Sequence, residues 1–130
     1  MSEKRVVRTE LAPAPFQGAP YSQAIAAGGL VFVSGQLGLA PGETTLKGKS
    51  IEEQTRQVLE NVKAILEQSG SGLDRLLKTT VFLADLADFA AMNNVYAEYV
   101  GAEPPARATV QVEALPSGAL VEIDAVALAE

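Results

Sequence analysis

Apolar and polar positions change period several times along this chain, and each change marks the boundary of an element. From Ile51 onward, Ile51, Val58, Leu59, Val62, Ile65 and Leu66 recur at helical spacing, while Arg56, Glu60, Lys63 and Glu67 fall outside that stripe. Ser50 and Glu53 stand just ahead of the stripe at the spacing of a capping box, and Gly70 supplies a stop. The pattern predicts a helix from a cap at Ser50 to about Ser69. A second helix is predicted between a cap at Asp85 and Gly101, with Leu86, Phe89, Met92, Val95, Tyr96, Tyr99 and Val100 turned inward. Asn93, four residues after Phe89 and three before Tyr96, borders that stripe, a position suited to bonding a buried backbone group.

Six segments read as strands instead. Arg5 to Thr9 is short and leads into the Pro-rich link Leu11 to Pro15. Tyr21 to Ala27 and Leu30 to Gln36 flank Gly28-Gly29, a two-residue loop of the kind that primed hairpin turns require. A loop from Gly38 to Lys49 follows. Leu76 to Ala84, rich in Leu, Thr, Val and Phe, reads as a buried strand. Ala106 to Val112 and Leu120 to Leu128 flank a turn at Pro116-Ser117-Gly118. The order is βββαβαββ, an α+β layer in which both helices pack on one face of a sheet, with residues 1–130 forming a single domain. The opposite face also carries apolar residues and no third layer is available to cover it, so self-association is expected.

Composition narrows the chemistry. The chain has 48% hydrophobic and 20% charged residues, ordinary globular material. A formal charge of −6 with scattered basic residues argues against nucleic acid as a partner, because phosphate binding draws on clustered Lys and Arg. The first ten residues carry charges but no apolar core of a leader, and no run approaches membrane-spanning length, so no membrane association and a cytoplasmic location are expected. With no Cys and no His, thiolate chemistry, His-based triads and the common zinc constellations are all absent.

What remains are two charges set in strand-like sequence, Arg107 in Pro-Pro-Ala-Arg-Ala-Thr-Val and Glu122 in Leu-Val-Glu-Ile-Asp-Ala-Val-Ala. Desolvating an unpaired charge costs several kcal/mol or more, so such positions call for a reason. Arg offers a planar fork that fits a carboxylate bidentately, and a partly desolvated Glu becomes a better proton acceptor near neutral pH. Arg107, Thr109 and Gln111 share one face of an alternating strand, and a solvated polar face is the commoner explanation for such an arginine taken by itself. If the last two strands form a hairpin about Ser117, Arg107 pairs near Ala127 and lies about 16 Å from Glu122 along the ladder. Serving one ligand would then require different subunits.

Read in order, Gly-Ala-Pro-Tyr21-Ser-Gln-Ala, Val-Phe-Val-Ser34-Gly35-Gln36, Lys-Thr-Thr-Val-Phe-Leu-Ala-Asp-Leu-Ala-Asp-Phe-Ala, Met-Asn93-Asn-Val-Tyr96, Pro-Ala-Arg107-Ala-Thr109-Val and Val-Glu122-Ile-Asp-Ala resemble the RidA (YjgF) family, the reactive intermediate deaminases, over almost the whole chain. The resemblance implies a chorismate-mutase-like α+β fold, a homotrimer with clefts between subunits, and hydrolysis of 2-imino acids or their enamines, such as 2-iminopropanoate and 2-iminobutanoate, to 2-oxo acids and ammonia without a cofactor. It further implies that Arg107 holds the substrate carboxylate, that Glu122 positions or deprotonates the attacking water, and that Tyr21 and Ser34 orient water and substrate. Gly35 would admit the ligand close to the backbone, Asn93 would lie near the cleft, and Thr109 would contribute its backbone carbonyl where many members carry Cys. Two other readings stand beside this one: a non-catalytic trimeric module that binds small carboxylates such as 2-oxo acids, and an RNA-cleaving translation inhibitor, which the acidic charge and absent His disfavour.

Overall fold

The computed structural model describes residues 3–129. Six strands form one sheet: β1 (Arg5–Val7), β2 (Ala24–Ala27), β3 (Leu30–Gln36), β4 (Leu76–Leu83), β5 (Ala106–Gln111) and β6 (Val121–Leu128), with α1 (Ile51–Gln68) and α2 (Phe89–Val100) between them. The element order agrees with the one read from the sequence. Gly28 and Gly29 both have positive φ and close the β2–β3 hairpin, which pairs Ala27 with Leu30. At the start of α1 the reciprocal bonds of the capping box are both made, and its six stripe residues are all buried.

The spatial order of the sheet, β1-β2-β3-β6-β4-β5, corrects one expectation. The last two strands do not form a hairpin about Ser117, because β4 lies between them, antiparallel to β6 and parallel to β5. Strand β4 leads through α2 into β5, the crossover that a parallel pair needs. The chain then turns at Pro116–Gly118 and runs back across to β6, between β3 and β4.

Side-chain alternation sorts the faces. Val31 and Val33 of β3, Val121, Ile123, Ala125 and Ala127 of β6, and Val81 and Leu83 of β4 are buried in one cluster with Val58, Leu59, Val62, Ile65 and Leu66 of α1 and Met92 and Tyr96 of α2. Both helices therefore cover the same face. The other face exposes large apolar side chains, among them Val6, Phe32, Val110 and Leu128.

Three local differences from the sequence reading have physical causes. Strand β2 begins at Ala24 rather than Tyr21, and β1 ends at Val7 rather than Thr9. Between them the buried side chain of Gln23 takes over the role of a ladder, accepting from the Thr9 N–H and donating to the carbonyls of Thr9 and Pro13. Asp85 does cap a turn, accepting from the Ala87 N–H, but that turn is a 3₁₀ segment over Leu86–Asp88, and α2 proper starts at Phe89. Leu86 and Phe89, expected to face inward, instead lie at the surface, each somewhat under half exposed.

Candidate active site

The residues singled out in the sequence fall into two groups on different faces of the sheet. The first lines a cavity of about 420 Å³ whose walls include Phe16, Tyr21, Ser34, Gly35, Leu37 and Glu122. A bulge builds it: β3 pairs Val33 with Ala125 but Gln36 with Ile123, so three steps along β3 match two along β6, and the irregularity falls on Ser34-Gly35. A methyl group at Gly35 would lie 2.9 Å from the carboxyl carbon of Glu122, so only glycine leaves the carboxylate room to lie over this backbone.

Glu122 is half-buried on the uncovered face, opposite Phe82 of β4. Burial pushes its carboxyl above the usual carboxylate range, and the negative charge of nearby Asp124 adds to the shift. No cation pairs with it among the described residues. Ser34 is held at both ends: its N–H donates to the Gln23 carbonyl at 2.9 Å and its hydroxyl to the Ser22 carbonyl at 2.5 Å. With its proton committed, the Ser34 oxygen faces a ligand as an acceptor. The Tyr21 hydroxyl accepts from the Phe16 N–H at 2.6 Å, which ties the 13–18 loop to the cavity wall and leaves the phenolic proton available.

The second group lies at the sheet edge. Arg107 pairs with Thr79 and Thr109 with Val81 in the parallel β4–β5 ladder, which puts both on the helix-covered face. The Arg107 guanidinium carbon stands 4.8 Å from the ring centre of Tyr96 and 5.5 Å from that of Phe89, both on α2. Among the described residues it makes no ion pair. Asn93, between those two rings along α2, buries its Oδ1 without a hydrogen-bond partner, so the expected bond to a backbone group is not made. The polar face of β5 is thus turned toward α2, while Ala108 and Val110 are exposed on the other face.

Arg107 and Glu122 are therefore separated in one chain, though for a different reason than a hairpin register. They belong to strands two apart in the sheet, and their side chains leave opposite faces. Within the cavity group Glu122 is the one ionised lining residue, so that wall offers a proton acceptor and hydrogen-bonding groups but no partner for an anion.

Sequence reasoning missed the residues that brace this wall. Asn61, buried in α1, donates to the carbonyls of Leu37 and Leu39 at 3.0 and 2.8 Å, and Gln54 accepts from the Leu120 N–H at 2.8 Å. Gln23 does the same for residues 9–13. Their signal is an amide at a position that the apolar pattern buries, on the α1 stripe for Gln54 and Asn61 and beside an apolar run for Gln23, where burial demands a backbone partner.

Comparison with known proteins adds an independent line. The family described as Endoribonuclease L-PSP matches residues 10–129. The chain is 51% identical to the chloroplastic Reactive Intermediate Deaminase A of Arabidopsis thaliana, across 96% of this chain and 66% of that one. It is 42% identical to a 2-iminobutanoate/2-iminopropanoate deaminase of Capra hircus, across 96% and 90%. The crystal structure of RidA from an Antarctic Psychrobacter superposes with a TM-score of 0.90 at 42% identity, covering 95% of this chain and 98% of that one. The bulged cavity and the six-stranded α+β fold thus sit in a chain that belongs to the Endoribonuclease L-PSP family, the family of the RidA proteins.

Proposed function

We propose that this single-domain chain hydrolyses 2-imino acids to 2-oxo acids and ammonia, at clefts formed between the subunits of a homotrimer. The observation that carries the reading is the separation just described. A desolvated carboxylate lines a cavity without a cation, and an arginine fork without an anion projects from the other side of the sheet edge. Joining the Glu122 wall of one subunit to the Arg107 edge of the next gives a site with a base and a carboxylate clamp, and the exposed apolar face, including Phe32, Val110 and Leu128, gives the subunits a reason to associate.

The reaction asks for positioning more than activation. A protonated 2-imino acid, R–C(=NH₂⁺)–COO⁻, is already electrophilic at C2. Arg107 takes its carboxylate bidentately, a geometry that Lys does not reproduce. Glu122 accepts a proton from water as the oxygen bonds to C2 and the C=N π pair moves onto nitrogen, giving a carbinolamine. Returned to nitrogen, that proton makes it a leaving group. The C–N pair departs with ammonia as an oxygen lone pair forms the C=O bond, and the hydroxyl proton passes through Glu122 to the ammonia, so 2-oxo acid and ammonium leave and one water is consumed per imine. Ser34 and Tyr21 orient water and substrate, Gly35 lets the ligand approach the backbone, and Asn93 and the Thr109 carbonyl line the opposite side. No step calls for a cofactor. The substrates that fit this chemistry are small imino acids such as 2-iminopropanoate and 2-iminobutanoate, both of which appear in the name of the relative in Capra hircus.

The test is a coupled assay in which threonine dehydratase generates 2-iminobutanoate in the presence of semicarbazide. Wild type suppresses semicarbazone formation and Arg107→Ala does not. Equal semicarbazone with and without wild type would overturn the reading for this substrate, and a monomer by light scattering at micromolar concentration would overturn the inter-subunit site.

A further inference from the structure

Arg107 reaches its place on a side chain with four rotatable bonds, from the outermost strand of the sheet, and no carboxylate among the described residues holds it. Such an arginine would sample several rotamers and lose side-chain entropy each time it captured an anion. Two aromatic rings restrict it instead. Phe89 and Tyr96 are seven residues apart, two turns along one side of α2, and the guanidinium lies over both. The lower ring is itself anchored: the Tyr96 hydroxyl meets Thr79 Oγ1 at 2.6 Å, with Thr79 1% and Tyr96 5% exposed.

Thr79 is the residue paired with Arg107 in the β4–β5 ladder, and it breaks the apolar run that Val81 and Leu83 continue on the same face. A hydroxyl there is unfavourable unless bonded, and its partner is the ring beneath the arginine. Backbone pairing thus fixes the start of the Arg107 side chain, and the Thr79–Tyr96 bond fixes the surface on which its end rests.

We infer that Thr79 and Tyr96, with Phe89, are positioning residues that hold the Arg107 fork in its carboxylate-binding orientation, so that they set affinity for the substrate carboxylate without touching the substrate. The inference rests on the proposed carboxylate role of Arg107. Because a clamp that binds ground state and transition state alike acts on KM, the shelf should leave its mark there and not on kcat.

The experiment measures KM and kcat for 2-iminobutanoate, and the Kd for 2-oxobutanoate by calorimetry, in wild type, Tyr96→Leu, Tyr96→Phe, Phe89→Leu, Thr79→Val and Thr79→Ser. Tyr96→Leu is expected to raise KM and Kd about tenfold with kcat within about twofold. Tyr96→Phe and Thr79→Val, which keep the ring and lose its anchor, raise them a few-fold, and Thr79→Ser restores wild-type values. In an Arg107→Ala background Tyr96→Leu produces no further rise, because the shelf acts only through the arginine. Should Tyr96→Leu fail to fold, Phe89→Leu, at a side chain 42% exposed, removes the other ring without opening the core. The Arg107 Nε–H resonance supplies a readout independent of turnover: it carries an aromatic ring-current shift in wild type that Tyr96→Leu or Phe89→Leu diminishes. Unchanged KM and Kd in all these variants, loss in kcat alone, or an equal further loss in the Arg107→Ala background would overturn the inference. If wild type neither turns over the imine nor binds the oxo acid, the functional reading fails, and the arginine resonance alone decides whether the shelf exists.

Discussion

Glu122 and Arg107 are both charges set in strands, and the molecule treats them in opposite ways. Glu122 sits on a strand with neighbours on both sides, its carboxylate laid across the one position, Gly35, where a side chain would exclude it. Nearly every group around it is fixed by a hydrogen bond that involves backbone: Ser34 bonds the carbonyls of Ser22 and Gln23, Tyr21 accepts from the Phe16 N–H, and the carbonyls of Leu37 and Leu39 accept from Asn61. Arg107 sits on an edge strand, and its guanidinium is held through aromatic faces alone. The proposed base is placed by backbone geometry, the proposed clamp by side-chain stacking. The first tolerates almost no change of shape, whereas the second can be weakened by degrees.

Removing the acceptor should therefore produce the largest effect. Glu122→Gln keeps size and hydrogen bonding but cannot take the proton, and kcat should fall by about 10²–10⁴-fold while 2-oxobutanoate still binds. Full activity in this variant would assign proton transfer elsewhere, and loss of binding with turnover would make Glu122 a structural residue. Gly35→Ala comes next. The new methyl must displace the Glu122 carboxylate, and a shift of about 1 Å at a catalytic group costs on the order of 10²-fold in kcat/KM. Steady-state kinetics beside a melting curve separates displacement from unfolding, because a variant with wild-type Tm and wild-type kcat/KM would show that the carboxylate does not act from this position.

Mixing tests the division between the two regions directly. Glu122→Gln and Arg107→Ala subunits, each with only residual activity alone at sub-KM substrate, should regain about a quarter of wild-type activity when co-refolded in equal amounts, since half of the cavity walls and half of the arginine edges are intact and they meet at random. No recovery would place both residues of each site in one chain.

The smallest effect is on pH dependence. Glu122 holds its proton more tightly in the folded chain than in the unfolded one. Between the ordinary value of 4.5 and the raised one, the folded state binds more protons, so this residue's contribution to stability falls as pH rises through that window and stays level above it. The difference in melting temperature between wild type and Glu122→Gln should shift against the wild type as pH rises from about 4 to 8, which isolates this residue from carboxylates such as Glu53 and Glu98 whose shifts run the other way. The same deprotonation should give kcat/KM a rising limb at a pH above the usual carboxylate range, absent from the variant.

The identity and order of all eight main elements were legible in the sequence because each is specified locally: the apolar stripe and capping box of α1, the Gly28-Gly29 turn, and the β-branched run of β4. The charges at Arg107 and Glu122 also stood out locally, as did the family resemblance that the comparisons then confirmed. Beyond the β2–β3 hairpin, which strands lie side by side was not legible. Strand pairing is a long-range choice, and a turn such as Pro116–Gly118 can close a hairpin or begin a crossover with the same residues. Tertiary structure alone decided that β4 separates β5 from β6, and with it that Arg107 and Glu122 leave opposite faces of the sheet. It alone also decided that Thr79 lies beside the arginine, bonded to the ring beneath it, and that Glu122 lies over Gly35, because a contact between strands depends on register, which no local pattern encodes.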